Sequence, residues 1–129
     1  THLESEFNTK NIENSIKYYQ FDNLLKFLKK KKNIILCGDM NISVQEDNYY
    51  IIDDVWNDCW ILDGLNKDKK YTYDCIENIY INKKTNYRSR LDRIYIKENE
   101  FKLMSYNLVG KGENIIPSDH FGIIVKIEL

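Results

Sequence analysis

Between residues 11 and 31 apolar positions recur as Ile12, Ile16, Tyr19, Leu24, Phe27 and Leu28. That spacing predicts one apolar stripe on a long helix, interrupted where Gln20 falls. Lys29 to Lys32 follow at its C-terminal end, where cations complement the helix dipole. Asn33 to Gly38, "NIILCG", is a short apolar run that predicts a buried strand, ended abruptly by Gly38. Residues 39–49 are polar and loop-like, and residues 50–60 predict a short helix or turn around Val55 and Trp56. Tyr71 to Tyr73 reads as a short strand, and residues 75–87 as irregular or as a hairpin carrying "NIYIN". Arg90 to Lys97 alternates as a strand does, Phe101 to Val109 is another strand, and Phe121 to Ile127 predicts a largely buried closing strand. Thr1 to Leu3 fits the end of a strand. A helix followed by several strands, with no repeats and no low-complexity linker, predicts an α/β sandwich layer rather than a bundle.

The totals narrow the class. At 129 residues the chain makes at most one domain, and 43% apolar with 13% aromatic residues argues for a folded one. Lysine and arginine number 19 against 20 acidic residues, so the net charge of −1 gives no bulk attraction to nucleic acid, and polyanion binding has to come from local patches. The lysine run at 29–32 is either such a contact or a solvated helix end. Cys37, Cys59 and Cys75 have neither zinc-ligand spacing nor an even count, and read as reduced thiols of an intracellular protein. No apolar run approaches the ~18 residues of a membrane span, and no signal peptide is visible. The chain opens on Thr1 and reads as a piece of something longer.

Chemistry-bearing residues lie at strand ends. "CGDMN" follows the first complete strand; in extended backbone residues i and i+2 point the same way, so Asp39 and Asn41 project together. A carboxylate beside an amide donor can orient a water and hold the oxygen it attacks, or the two can close the strand as an Asx turn. Pro117, the only proline, opens "PSDH" at the mouth of the closing strand. There His120 can donate to a developing oxyanion and Asp119 can hold a cation or its waters, provided both lie in the turn that Pro117 begins. In "RSRLDRIYI" Asp92 sits among apolar neighbours and needs a partner, either Arg90 or Arg93, or else His120. "THLES" supplies His2, the only other histidine, with Ser5; both suit phosphate oxygens or a strand end.

Taken in order, "GDMN" at 38–41, "RLD" at 90–92 and "SDH" at 118–120 resemble the endonuclease/exonuclease/phosphatase superfamily, the fold of DNase I and the apurinic endonucleases. There Gly-Asp-x-Asn and Ser-Asp-His are the last two catalytic motifs, with an Arg-x-Asp strand between them. "THLES", "DVW" at 54–56, "YTYD" at 71–74, "RLDRI" and "PSDHFGI" look like the tyrosyl-DNA phosphodiesterase 2 branch, over nearly the whole chain. The resemblance implies half of a four-layered α/β/β/α sandwich, with mainly antiparallel or mixed sheet and a long helix, residues 1–129 being the C-terminal half of one domain. It also implies a Mg²⁺-dependent (or Mn²⁺-dependent) phosphodiesterase acting on a 5′-phosphotyrosyl bond between protein and DNA or RNA. Asp39 would orient and deprotonate the attacking water, Asn41 would hold a phosphate oxygen, and His120, supported by Asp92, would stabilise charge on phosphorus. His2 and Ser5 would contact the scissile phosphate, Tyr73 and Leu91 would wall the terminal base, and Asp119 would stand in the outer shell of the metal. Phe7 and Ser43 replace arginines of that branch. The metal-binding glutamate of the superfamily comes from a first half that would be this chain's partner, and 129 residues alone are expected to be nearly inactive. The competing readings are an abasic endonuclease, a sphingomyelinase-like enzyme, a deadenylase, or an inactive binding module.

Overall fold

A computed structural model describes residues 1–6, 11–50, 52–81, 85–97, 101–113 and 117–128. The opening segment runs beside the first strand, β1 (Ile34–Asp39). The Thr1 ammonium donates to the Cys37 carbonyl at 2.7 Å, Leu3 N donates to Asp39 O at 3.0 Å, and His2 bridges Asp39 in parallel. Gly38 permits this approach. Its φ of +146° suits glycine, and a Cβ there would stand 1.8 Å from the Thr1 carbonyl oxygen.

The long helix expected over residues 11–31 is in two pieces. A single 3₁₀ turn, Ile12–Asn14, precedes α1, Ile16–Leu28. Ser15 separates them with extended backbone, and its hydroxyl accepts from Tyr18 N at 3.1 Å, an N-cap that starts α1 afresh. The buried face also differs from the expected stripe. Lys17 and Phe21 are buried, with Tyr18, Leu24, Leu25 and Leu28 packed on the core, while Ile16, Tyr19 and Phe27 face outward. The Lys17 ammonium donates to the Glu46 carboxylate at 2.9 Å and to the carbonyls of Asn41 at 2.7 Å and Glu6 at 3.2 Å. The buried face is a different apolar stripe, Phe21, Leu24, Leu25 and Leu28, with Lys17 held beside it by a tertiary ion pair. Gln20, the polar interruption, reaches out to accept from Glu4 N at 2.7 Å and so ties down the opening segment. The helix end is closed by the buried Lys97, which donates to the carbonyls of Leu28, Lys29 and Lys31, whereas Lys29 to Lys32 are exposed.

After β1 come β2 (Trp56–Asp58), α2 (Cys59–Leu62), β3 (Tyr73–Asp74), β4 (Arg88–Ser89), β5 (Asp92–Lys97), β6 (Lys102–Val109) and β7 (Gly122–Glu128). Trp56 thus begins a strand, where a helix or turn was expected, and the helix follows it. β5 lies between β1 and β2, antiparallel to both; β3 pairs with β4, and β6 with β7, also antiparallel. Antiparallel sheets cover one face and leave the other open. Accordingly β1 buries only Leu36 and exposes Ile35 and Cys37, and β7 alternates exposed with half-buried positions, so neither is the largely buried strand expected.

One core gathers Leu3, Phe21, Leu36, Met40, Ile42, Tyr50, Trp56 and Tyr95 between α1 and the central sheet; a second gathers Cys59, Trp60, Ile96 and Tyr106 beneath the β6–β7 hairpin. All three cysteines are free, and burial with the neighbouring Asp58 charge pushes the Cys59 thiol up to about 12. Among the described residues no helix is long and apolar enough to cross a membrane.

Candidate active site

Strand register brings the first two carboxylates together. Asp39 and Asp92 are paired residues at the β1–β5 sheet end, and directly opposed residues of an antiparallel pair share a face. The third group arrives from the far end of the chain. Phe121 N donates to Thr72 O at 2.7 Å and His120 forms an antiparallel bridge with Tyr73, which swings the imidazole over Asp92. His120 Nδ1 lies 2.7 Å from Asp92 Oδ2, and ligating atoms of Asp39, Asp92 and His120 lie within 4.8 Å of one another. The partner of Asp92 is therefore His120; Arg90 instead pairs with Asp58 at 2.5 Å in a buried contact, and Arg93 with Asp47 and the Ile42 carbonyl.

The hydrogen bond to Asp92 raises the His120 pKa above its ordinary value; burial opposes the rise, and the charges of Asp92, Asp39 and Asp119 add to it. An ionised carboxylate only accepts, so Nδ1 carries a proton and Nε2 is left to face the site. The rings of Tyr73 and His120 meet edge to face at 5.2 Å.

The Asp39–Asn41 stretch closes its strand as an Asx turn. Asn41 N donates to Asp39 Oδ1 at 2.8 Å, an Asx turn, with Asn41 in the left-handed region at φ 50°. The same turn leaves both side chains lining one cleft. Asn41 is buried; its Nδ2 donates to Leu3 O at 2.7 Å, and its carbonyl accepts from Lys17.

That cleft has a volume of about 820 Å³. His2, Ser5, Tyr73, Leu91 and His120 line it, His2 Nε2 standing 3.6 Å from Asp39 Oδ2. Ser43 and Glu46 also line it, the Ser43 amide donating to Glu46 at 2.8 Å. Asp119 does not join them. It is exposed, it does not line the cleft, and its Oδ1 accepts from the Ser118 hydroxyl at 3.3 Å. Phe7 lies outside the described residues.

Three contributors were not singled out from the sequence. Tyr87 lines the cleft with its ring 5.9 Å from that of Tyr73; Lys17 and Glu46 form the buried pair behind Asn41; Thr72 joins the segments that carry Asp92 and His120. A helix lysine on the inner face, or a threonine between two tyrosines, carries no local sign of such a role.

A family model described as the Endonuclease/Exonuclease/phosphatase family matches residues 11–120. The chain belongs to that family. Among solved structures it is similar to D. rerio TDP2 complexed with single strand DNA product, with 24% identity, a TM-score of 0.82, and coverage of 99% of this chain and 54% of that one. Truncated Caenorhabditis elegans TDP2 matches with 24% identity and a TM-score of 0.68, over 95% of this chain and 50% of its own. An endonuclease/exonuclease/phosphatase family protein from Bacteroides thetaiotaomicron matches with 19% identity and a TM-score of 0.58, over 87% and 44% respectively. No curated protein matches. The fold is the mixed α/β, largely antiparallel DNase I-like fold of these neighbours, and the chain spans about half the length of the D. rerio protein.

The family's chemistry raises the question of a divalent ion. Asp39, Asp92 and His120 offer the right atom types close together. Their bonding does not suit Mg²⁺, which favours oxygen ligands and retained waters. Asp92 Oδ2 holds the His120 ring, Asp39 Oδ1 already accepts from Asn41, and an imidazole nitrogen is not the oxygen ligand that Mg²⁺ favours. The trio is a hydrogen-bonded acid–base group, and among the described residues it does not build an all-oxygen inner sphere for Mg²⁺.

Proposed function

We propose that this chain is the C-terminal half of a phosphodiesterase domain that hydrolyses a 5′-phosphotyrosyl bond between protein and DNA or RNA by in-line attack of water. The observation that carries the reading is the convergence of Asp39, Asp92 and His120, from three distant segments, within 4.8 Å beside an open cleft. In the reaction Asp39 accepts the proton of the attacking water. His120 donates from Nε2 to a phosphate oxygen as charge develops there, with Asp92 holding the ring charged and aimed. Asn41 holds a second phosphate oxygen, and His2 and Ser5 contact the scissile phosphate. A phenolate leaving group, with a pKa of about 10, departs without a strong general acid.

Tyr73 and Leu91 present the apolar surface for the terminal base. The single-stranded DNA named for the similar D. rerio structure supports a nucleic-acid 5′ end as the partner. Mg²⁺ is taken as cofactor, its inner ligands coming from outside these residues.

The deciding experiment compares a 5′-tyrosyl oligonucleotide with abasic DNA, polyadenylate and sphingomyelin, with Mg²⁺ and with EDTA, on the chain alone and joined to an upstream half. The expected result is metal-dependent release of tyrosine from the joined protein and little from the chain alone. Preference for another substrate reassigns the activity within the family. Binding without turnover of any of them overturns the enzyme reading.

A further inference from the structure

We infer that Thr72 is the positioning residue of the Asp92–His120 pair, a role that rests on the function proposed above for that pair. Thr72 is wholly buried, and each of its polar backbone and side-chain oxygens is directed at one of the two segments that must meet. Its hydroxyl oxygen accepts from two successive backbone amides, Leu91 N at 3.1 Å and Asp92 N at 3.0 Å. Its carbonyl accepts from Phe121 N at 2.7 Å, the amide directly after His120. Its own N–H donates to Ser89 O at 3.1 Å, tying it to the chain that leads into β5. One residue therefore touches the backbone on both sides of the 2.7 Å contact between Asp92 and His120.

The geometry gives the hydroxyl a task that strand pairing leaves undone. On one side the start of β5 is held by the ladder to β1, where Asp39 faces Asp92 and Met40 N donates to Leu91 O at 2.9 Å. A pairing on one side still lets the strand start pivot about that ladder. Successive amides in a regular strand point to opposite sides; at Leu91 and Asp92 both turn toward Thr72 Oγ1, which fixes the pivot and with it the direction of the Asp92 carboxylate. Displacing a catalytic group by about 1 Å lowers a rate by about a hundredfold. A valine keeps the shape of threonine and removes the acceptor, leaving two buried amides unpaired; serine keeps the acceptor and removes only a methyl.

The test uses Thr72→Val, Thr72→Ser, Asp92→Asn and the double variant Thr72→Val/Asp92→Asn in the intact protein, with bis(4-nitrophenyl) phosphate turnover and the His120 Nδ1 proton resonance as readouts. Thr72→Val is expected to lower kcat by about tenfold or more, leave KM within about twofold and abolish the downfield Nδ1 proton signal, with Thr72→Ser retaining both rate and signal. In the Asp92→Asn background Thr72→Val is expected to cause no further loss, because its effect passes through Asp92. Should Thr72→Val fail to fold, Thr72→Ala removes the same hydroxyl and gives the same two readouts. The inference is overturned if the hydroxyl-free variant keeps the wild-type rate and signal, if Thr72→Ser is equally impaired, or if the losses of the double variant multiply. A wild-type protein without turnover would defeat the proposed function instead, and the resonance would still decide the positioning role.

Discussion

His120 Nδ1 and Asp92 Oδ2 are 2.7 Å apart across 28 residues of sequence, and this contact fixes a histidine at a strand mouth with its ring against a cleft. The hydrogen bond to Asp92 raises the His120 pKa against the opposing influence of burial. The ring should titrate by NMR above its ordinary value of 6.5, and Asp92→Asn should bring the midpoint down. Because the folded value is the raised one, the stability this pair contributes is full below the ordinary value and is lost as pH rises through the folded value. An unchanged midpoint in Asp92→Asn would mean that Asp92 does not govern the ring.

Removing the groups assigned to chemistry should leave the fold in place. Asp39→Asn and His120→Ala are each expected to lower kcat by about a hundredfold or more while the circular dichroism spectrum is retained. Wild-type turnover in both variants would show that the converging trio is not the reaction centre.

Behind Asn41, Lys17 and Glu46 form an ion pair with the lysine almost wholly enclosed. Lys17→Met leaves the half-buried Glu46 carboxylate without its ammonium partner and should destabilise the protein by about 1–3 kcal/mol in urea unfolding. Burial works to raise the Glu46 pKa, but hydrogen bonds from Lys17 and Ser43 outweigh it and hold the group below its ordinary 4.5. Stability from this carboxylate is therefore present above the ordinary value and is lost as pH falls through the folded one. In Lys17→Met that acid-limb dependence should shrink.

Gly38→Ala tests the opening segment. The added Cβ would overlap the Thr1 carbonyl at 1.8 Å in a backbone conformation suited to glycine. A loss of about 1–3 kcal/mol is expected from the strained φ, with a rise in KM as the segment carrying His2 is pushed from β1. A variant with wild-type melting temperature and KM would show that the segment is not held as described.

Legibility from sequence followed the range of the interaction responsible. The strands around 34–39, 92–97 and 102–109 were visible because β-branched runs and glycine stops are local signals. The face of α1 was not: Ile16, Tyr19 and Phe27 were expected inside and stand outside, and the partner of the buried Lys17 lies 29 residues away at Glu46. The expected single helix broke at Ser15 because a local hydroxyl cap prevailed over a continuous apolar spacing. Asp119 was expected beside His120 in the site, and the bend at Ser118–Asp119 leaves it exposed.

The sequence by itself determined which residue types were present for phosphate chemistry and in what order, because Gly-Asp-x-Asn, Arg-x-Asp and Ser-Asp-His are contiguous and need no fold to be read. It also determined that the chain folds, through its apolar content and strand signals. Only the tertiary structure decided that Asp92 takes His120 rather than an arginine, that Thr72 joins their two segments, and that Asp39 faces both. The reason is physical. A pattern along the chain fixes which way a side chain points within its own element, whereas the partner it meets depends on strand register and on hydrogen bonds closed between distant segments.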